Sequence, residues 1–198
     1  MKIAVVAIQG NVDEHISAAE KALNEMGLRG EVIPVRHSGI IPSCDAIILP
    51  GGESTTLGRL MAREGIDTEI QKAAAAGKPI MGTCAGLVLL AKDGGEQAQR
   101  TGQHLLELMD ISVDRNAFGG QRESFEVPLK VSILDSPYNA IFIRAPVITS
   151  VKPGIEVLAS FDKYIVAAKQ GNVIALAFHP ELTEDFRIHR YFFGLVKL

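Results

Sequence analysis

The stretch Gly82-Thr83-Cys84-Ala85-Gly86 lies between two short apolar runs, residues 78–81 and 87–91. An apolar run, a glycine-flanked turn and a second apolar run together predict a strand, a sharp turn and a helix. This is the layout of a nucleophile elbow, in which the residues two positions before and after the central one need to be almost without side chains. Both of these residues are glycine. We therefore predict a βα unit with Cys84 at its turn.

Such an elbow would also activate the Cys84 thiol. In the first turn of a helix, unpaired backbone N–H groups and the positive end of the helix dipole favour the thiolate, which is the better nucleophile. The alternative is that Cys84 is a small buried core residue, as most unpaired cysteines are. The flanking glycines favour the nucleophile. Cys44 has no comparable surroundings and is predicted to be a structural thiol.

Upstream of the elbow, apolar runs alternate with helical periodicity. The predicted strands are residues 3–8, 31–35 and 46–49, and the predicted helices are residues 12–26, a helix that begins at Leu57 and includes Leu60 and Met61, and residues 66–76. Alternating βα units give parallel strands whose carboxyl ends meet at one edge of the sheet, where ligands bind. His15 falls on the first predicted helix, where a solvated or locally hydrogen-bonded histidine is a more ordinary interpretation than a catalytic one.

A second strand–turn–helix junction follows the third predicted strand. It has the sequence Pro50-Gly51-Gly52-Glu53-Ser54-Thr55-Thr56. Glycine-rich turns of this kind point backbone N–H groups toward a ligand. An ordinary βα loop would explain one glycine, but not two adjacent glycines followed by an acid and three hydroxyls. The turn is therefore predicted to be part of a site.

The second half of the chain has a different pattern. Residues 92–104 are polar and predict an exposed loop, and a final helix is predicted over about residues 184–195. Short extended runs occupy residues 111–113, 125–134, 141–143, 156–161, 164–169 and 173–178. Gln170-Gly171-Asn172 is typical of a hairpin turn, so part of the sheet is antiparallel. The prediction is an α/β fold with three layers, α/β/α, around a mixed, mostly parallel sheet.

Composition limits the possible functions. A chain of 198 residues that is 47% hydrophobic has the size of one domain, which we predict to span residues 1–198. A net charge of −3 gives no bulk attraction to nucleic acid or to an anionic membrane. No apolar run reaches the roughly 18–20 residues of a membrane helix, and residues 3–8 are too short a run for a secretion signal. Two cysteines, one of them a predicted nucleophile, favour a reducing, cytoplasmic location.

The last predicted strand ends at His179-Pro180-Glu181. With five histidines and 23 acidic residues, such a pair arises readily by chance, so its position is the stronger evidence. His179 follows the end of an apolar strand, where it can converge with Cys84. We predict that Cys84 attacks an acyl group, His179 shuttles the proton and Glu181 fixes the tautomer of the imidazole. The backbone N–H groups of Gly52 and Ala85 are the predicted oxyanion donors.

The elbow, the glycine-rich turn and the terminal His-Pro-Glu together resemble class I (triad) glutamine amidotransferases, which have a flavodoxin-like fold. Further stretches look like the glutaminase subunits of pyridoxal 5'-phosphate synthase, over essentially the whole chain. They are Gln9-Gly10, Arg115-Asn116-Ala117-Phe118-Gly119, Phe142-Ile143-Arg144-Ala145-Pro146, Val166-Ala167-Ala168-Lys169-Gln170-Gly171 and Phe178-His179-Pro180-Glu181-Leu182-Thr183. The resemblance implies hydrolysis of L-glutamine to L-glutamate and ammonia, without metal or cofactor. It also implies a barrel-shaped synthase partner, which takes up the ammonia and makes vitamin B6 from a pentose phosphate and a triose phosphate.

The resemblance also implies a set of glutamine-binding residues. They are Gln9, Gly52, Glu53, Ser54, Arg115, Ile143 and Arg144. An arginine suits the α-carboxylate of glutamine, and Glu53 suits its α-ammonium group. One position departs from the family, since Gly120 stands where an arginine is usual. Arg122, two positions later, is a possible substitute.

Two other functions remain open at this point. A γ-glutamyl peptidase or a DJ-1/PfpI-like cysteine hydrolase would use the same architecture and an elbow cysteine. A non-catalytic regulatory subunit would keep the fold alone. The terminal His-Pro-Glu and the Arg115 segment favour the free amino acid as substrate, and the intact Cys84, His179 and Glu181 favour an enzyme.

Overall fold

The structure is a computed structural model that describes residues 1–115, 117 and 124–197. Its strands are β1 (Lys2–Val6), β2 (Glu31–Val35), β3 (Ala46–Leu49), β4 (Ile80–Thr83), β5 (Ala91–Asp93), β6 (Met109–Asp114), β7 (Ser124–Leu129), β8 (Tyr138–Ile143), β9 (Val147–Val151), β10 (Glu156–Phe161), β11 (Tyr164–Gln170) and β12 (Val173–Leu176). Its α-helices are α1 (Val12–Glu25), α2 (Ser54–Glu64), α3 (Ile66–Ala75), α4 (Ala85–Leu90), α5 (Gly95–Thr101) and α6 (Arg187–Gly194). Short 3-10 helices span Ile41–Ser43 and Pro180–Leu182.

One large sheet organises the described part of the chain. Its strand order is β2-β1-β3-β4-β12-β11-β9-β6-β5, and β10 pairs with β11. The strands from β2 to β12 in this order run parallel. Strand β11 pairs antiparallel with β12 and β9, β9 pairs antiparallel with β6, and β6 pairs parallel with β5. A separate hairpin joins β7 and β8. With helices on both sides of the sheet, the predicted α/β fold is confirmed.

The central strands form the core because their sequences are continuously apolar. Every residue of β3, β4 and β12 is buried, as expected for strands covered on both faces. Helix α1 packs on β1, β2 and α6, while α2 packs on α3 and α4. Within the described ranges, none of these helices combines the length and apolar character that a bilayer crossing needs.

The register of three neighbouring strands determines where the polar turns lie. Leu49 of β3 pairs with Gly82 of β4, and Thr83 of β4 pairs with Leu176 of β12. These three parallel strands therefore end side by side. The turns that follow them contain Gly51, Cys84 and His179 respectively, so residues far apart in sequence meet at one edge of the sheet.

Several predicted elements need correction. Residues 92–104 are not a loop, because they contain the end of β5 and all of α5. Helix α5 has one buried residue, Ala98, and so shows no apolar period in the sequence. Strand β9 was not predicted, and the final helix begins at Arg187, later than predicted. The hairpin at Gln170-Gly171-Asn172 is confirmed, since β11 and β12 pair antiparallel across it.

A buried histidine on α6 gives a prediction about acid stability. His189 is 0% exposed, and neither of its ring nitrogens has a hydrogen-bond partner among the described residues. Burial lowers its pKa to about 3, the nearby His15 lowers it further, and Glu181 partly opposes both. Between pH 6.5 and 3 the unfolded chain therefore binds a proton at this position that the folded chain excludes, so stability is lost as pH falls.

We expect His189→Leu to remove this sensitivity. Its unfolding free energy should exceed that of the unsubstituted chain at neutral pH by about 1 kcal/mol, because an unpaired buried polar group is removed. Below pH 6.5 the difference should widen by up to about 1.4 kcal/mol per pH unit. Urea unfolding between pH 4 and 8 measures this difference in unfolding free energy. Parallel pH profiles for the two proteins would show that His189 is not the source of the acid sensitivity.

Candidate active site

The elbow predicted at Cys84 is confirmed as a strand–turn–helix junction. Cys84 lies between β4 and α4 with φ 50° and ψ −105°, a conformation that is strained for any residue but glycine. A side-chain carbon on Gly82 would lie 2.6 Å from the backbone of Gly86 and from Leu90. One on Gly86 would overlap the carbonyl oxygen of Leu49 in β3. The two glycines are therefore required by close packing around the turn.

The structure brings Cys84 and His179 together beside the glycine-rich turn. A side-chain carbon built on Gly51 would lie 3.0 Å from Cε1 of His179 and 3.5 Å from Cβ of Cys84. Gly51 therefore leaves open the space that these two side chains border. The Cys84 thiol is partly exposed and donates a long hydrogen bond, 3.9 Å, to the carbonyl oxygen of Ile143 at the end of β8.

His179 and Glu181 form a buried hydrogen-bonded pair. Nδ1 of His179 lies 2.7 Å from Oε1 of Glu181, and the residues are 5% and 6% exposed. Nε2 of His179 has no hydrogen-bond partner among the described residues. Since Nδ1 is committed to Glu181, Nε2 is the nitrogen available to exchange a proton with a thiol.

The electrostatics of this pair favour a charged imidazole. Burial lowers the pKa of His179, but the adjacent Cys84 thiol and the Glu181 carboxylate outweigh burial and raise it to about 10. Burial raises the pKa of Glu181, and the hydrogen bond from His179 together with the electrostatic effects of the His15 and His179 rings reverses this and lowers it. A carboxylate that supports an imidazolium can in turn stabilise a thiolate next to it.

Gln9 and Gly10 pack against the glycine-rich turn. A side-chain carbon on Gly10 would collide with the carbonyl oxygen of Gly51, and one on Gly52 would lie 3.6 Å from Oε1 of Gln9. Gly10 and Gly52 also have positive φ angles of 93° and 133°. The predicted oxyanion residues Gly52 and Ala85 belong to the two turns that meet here, after β3 and β4.

Glu53 and Arg115 are paired with each other. The Glu53 carboxylate accepts hydrogen bonds from the backbone N–H groups of Thr55 and Thr56, at 3.0 and 2.7 Å, and so caps α2. Nη2 of Arg115 donates to it at 3.0 Å, and Nη1 donates to Gln103 at 3.2 Å. Burial raises the pKa of Glu53, but these donors outweigh it and lower the pKa to about 2.

The remaining predicted binding residues lie at different depths. Ile143 and Arg144 are exposed at the end of β8, and Arg144 has a positive φ of 44°. Ser54 is 1% exposed at the start of α2. Gly120 and Arg122, which concern the departure from the family pattern, lie outside the described residues.

The interpretation of His15 as a solvated or locally hydrogen-bonded histidine is wrong. It is 0% exposed, and its Nε2 lies 3.1 Å from Oγ1 of Thr83 and 3.4 Å from Oε2 of Glu181. Asn11, four residues earlier, donates to Oε1 of Glu181 at 3.2 Å. The spacing of four, which puts Asn11 and His15 on the same side of a helix, was the signal available in the sequence. In the described ranges, no three His, Cys, Asp or Glu residues are grouped to hold a metal ion.

The sheet topology and the site at its carboxyl edge define a class I glutamine amidotransferase. The chain belongs to the SNO glutamine amidotransferase family, whose model matches residues 5–197.

Similar proteins extend over nearly the whole chain. One from Methanococcoides burtonii, named pyridoxal 5'-phosphate synthase subunit PdxT, is 62% identical over 192 residues, covering 97% of both chains. A protein of the same name from Methanosarcina mazei is 60% identical and covers 99% of this chain and 98% of its own length. A solved structure described as a glutamine amidotransferase aligns with a TM-score of 0.85 at 42% identity, covering 98% of each chain.

Proposed function

We propose that this chain is the glutaminase subunit of a pyridoxal 5'-phosphate synthase. In this function it hydrolyses L-glutamine to L-glutamate and ammonia and passes the ammonia to a separate synthase subunit. The observation that supports it most directly is the strained Cys84 elbow beside the buried His179–Glu181 pair. The family match and the names of the archaeal relatives support the same function.

The proposed reaction starts with attack of the Cys84 thiolate on the side-chain carbonyl carbon of glutamine. A C–S bond forms, and the carbonyl oxygen becomes an oxyanion that accepts hydrogen bonds from the backbone N–H groups of Gly52 and Ala85. The oxyanion then collapses, the C–N bond breaks, and the His179 imidazolium donates its proton to the departing nitrogen. Ammonia and a γ-glutamyl thioester result.

Hydrolysis of the thioester uses the same groups in reverse roles. His179, now neutral, takes a proton from a water molecule, and the water oxygen attacks the thioester carbon. The C–S bond breaks, glutamate leaves, and the thiolate and imidazolium are restored. Glu181 keeps Nδ1 of His179 protonated in both halves, so that Nε2 is always the nitrogen that exchanges the proton.

We assign glutamine recognition to the groups around the Cys84 thiol. Arg115 would bind the α-carboxylate, since its guanidinium is held by Glu53 and Gln103 in a fixed position. Glu53, exposed on its outer side, would accept the α-ammonium group. Gly52, Ser54, Ile143 and Arg144 would also bind glutamine, and Gln9 would lie beside the oxyanion turn.

The partner we propose is a barrel-shaped synthase subunit. It would bind near the carboxyl edge of the sheet, receive ammonia directly and combine it with a pentose phosphate and a triose phosphate. The chain itself would act as one glutamine amidotransferase domain over residues 1–198, in the cytoplasm and without a metal or cofactor.

Ammonia release from glutamine, with and without a synthase subunit, tests this function. We expect the synthase subunit to raise the rate by about tenfold or more, as in ordinary coupling between binding partners. A rate that does not change on adding synthase would contradict the coupling. A γ-glutamyl dipeptide hydrolysed faster than glutamine would instead support the peptidase.

A further inference from the structure

The Glu181 carboxylate is enclosed by donors from two directions. Its side chain is 0% exposed. Oε1 accepts from Nδ1 of His179 at 2.7 Å and from Nδ2 of Asn11 at 3.2 Å. Oε2 has no hydrogen-bond partner among the described residues, and Nε2 of His15 lies 3.4 Å from it. One oxygen therefore serves the imidazole of His179, and the other is opposed by a second imidazole.

The position of the single proton on His15 follows from its neighbours. Burial lowers the pKa of His15 despite the opposing charge of Glu181, so its ring is neutral and holds one proton. On Nδ1 that proton would have no acceptor among the described residues, and the Nε2 lone pair would face a carboxylate. On Nε2 the proton can be donated to Oγ1 of Thr83 at 3.1 Å, and it puts positive charge within 3.4 Å of Oε2 of Glu181. We assign it to Nε2, because a buried carboxylate oxygen without a donor is costly.

The start of α1 brings a polar group close to each carboxylate oxygen. Asn11 immediately precedes α1 and His15 lies in its first turn, one helical turn further along. The third partner, Thr83, ends β4 and is the residue before Cys84. The start of α1 is thus tied by side-chain contacts to Glu181 on one side and to the elbow strand on the other.

We propose that His15, together with Asn11, is a positioning residue that fixes the orientation of the Glu181 carboxylate toward His179. The inference rests on the proposed function, because it assigns these residues a role in that reaction. Neither residue needs to contact glutamine. Both act through Glu181, so their loss should alter proton transfer by His179 more than substrate binding.

The charged and titratable groups that face His15 come from three elements. Glu14 is its neighbour on α1, His189 lies on α6, and Glu181 and His179 follow β12. Of these, Glu181 is the group within 3.4 Å of Nε2. Loss of the contacts of His15 or Asn11 with Glu181 would leave the His179 imidazolium less stabilised. The imidazolium would then lose its proton at lower pH, and the alkaline limb of the kcat/KM profile would move to lower pH.

The test compares His15→Leu, His15→Gln and Asn11→Ala with the unsubstituted chain, each with the synthase subunit, from pH 6 to 10.5. Gln places an amide N–H group near the position of Nε2, whereas Leu provides no donor. We expect His15→Leu to lower kcat about tenfold with KM changed by less than about twofold, as for other residues that orient a catalytic group. Its alkaline limb should move down by about one pH unit, and Gln should restore both quantities in large part.

His189→Leu is the matched control, because His189 is buried near the same cluster but neither of its ring nitrogens has a hydrogen-bond partner among the described residues. Its alkaline limb should stay in place. The rate of Cys84 alkylation by iodoacetamide, measured on the Cys84 peptide by mass spectrometry, gives a second readout that needs no glutamine. It should rise at the same pH as the limb, because loss of the imidazolium proton leaves a more reactive thiolate.

The outcomes separate the two proposals. If the unsubstituted chain hydrolyses no glutamine, the proposed function fails, and the alkylation profiles alone still decide the role of His15. The inference would be overturned if His15→Leu and His15→Gln lost the same fraction of kcat while the alkaline limb of kcat/KM and the pH of the rise in alkylation rate both stayed unchanged. His15 would then only fill space in the core. If neither His15 variant folds, the test depends on Asn11→Ala, a substitution near the surface. The inference then requires that Asn11→Ala lowers kcat and moves the alkaline limb of kcat/KM to lower pH.

Discussion

Cys84→Ala is expected to abolish glutamine hydrolysis, with a loss of about 10⁴-fold or more, as is usual when a catalytic nucleophile is removed. Without the sulfur no thioester can form, and the His179–Glu181 pair has no nucleophile to activate. The measurement is ammonia release in the presence of the synthase subunit. Incubation with a diazo-ketone analogue of glutamine, followed by mass spectrometry, measures the covalent adduct directly.

The control for this variant is Cys44→Ala. Cys44 is 1% exposed in the core before β3, and its thiol donates to the carbonyl oxygen of Ile40 at 3.5 Å. Burial raises its pKa, so it remains a protonated structural thiol. Cys44→Ala should keep the activity and the adduct, with a stability loss of about 1 kcal/mol. An adduct that survives in Cys84→Ala would remove Cys84 from its proposed role.

Gly86→Ala is expected to have the second largest effect. The added carbon would overlap the carbonyl oxygen of Leu49 and lie 3.0 Å from Leu49 Cβ. Backbone atoms of a central strand cannot rotate away, so α4 must shift from β3 and take Cys84 with it. We expect a loss of about 2–3 kcal/mol in stability, as for other overpacked cores. A displacement of about 1 Å at the nucleophile should cost about a hundredfold in kcat.

Gly194→Ala is the matched substitution. Gly194 ends α6, and a side-chain carbon there would meet no atom within 4 Å. Alanine at this position should stabilise the protein by up to about 1 kcal/mol and leave kcat unchanged. Urea unfolding and ammonia release on both variants give the comparison. A Gly86→Ala protein with normal stability and activity would show that the close packing at the elbow is not required.

Most of the strands, their order along the chain and the elbow could be predicted because each depends on short-range patterns. Continuous apolar runs at β1, β3 and β4 have few alternatives to a buried parallel strand. Helix α5 could not be predicted, since a surface helix with one buried residue, Ala98, has no apolar period. Strand β9 is short and half exposed, and its pairing with β6 and β11 is set by contacts distant in sequence.

By itself, the sequence determined the class of fold and the residues with reactive groups, because glycine spacing and strand ends are local consequences of backbone sterics. Only the tertiary structure decided how those groups are paired. Glu53 binds Arg115, and His15, on a helix that could equally have faced water, lies buried against Glu181. Burial of a polar side chain depends on which elements pack over it, here α6 and the end of β4, and the four-residue spacing of Asn11 and His15 does not specify that packing.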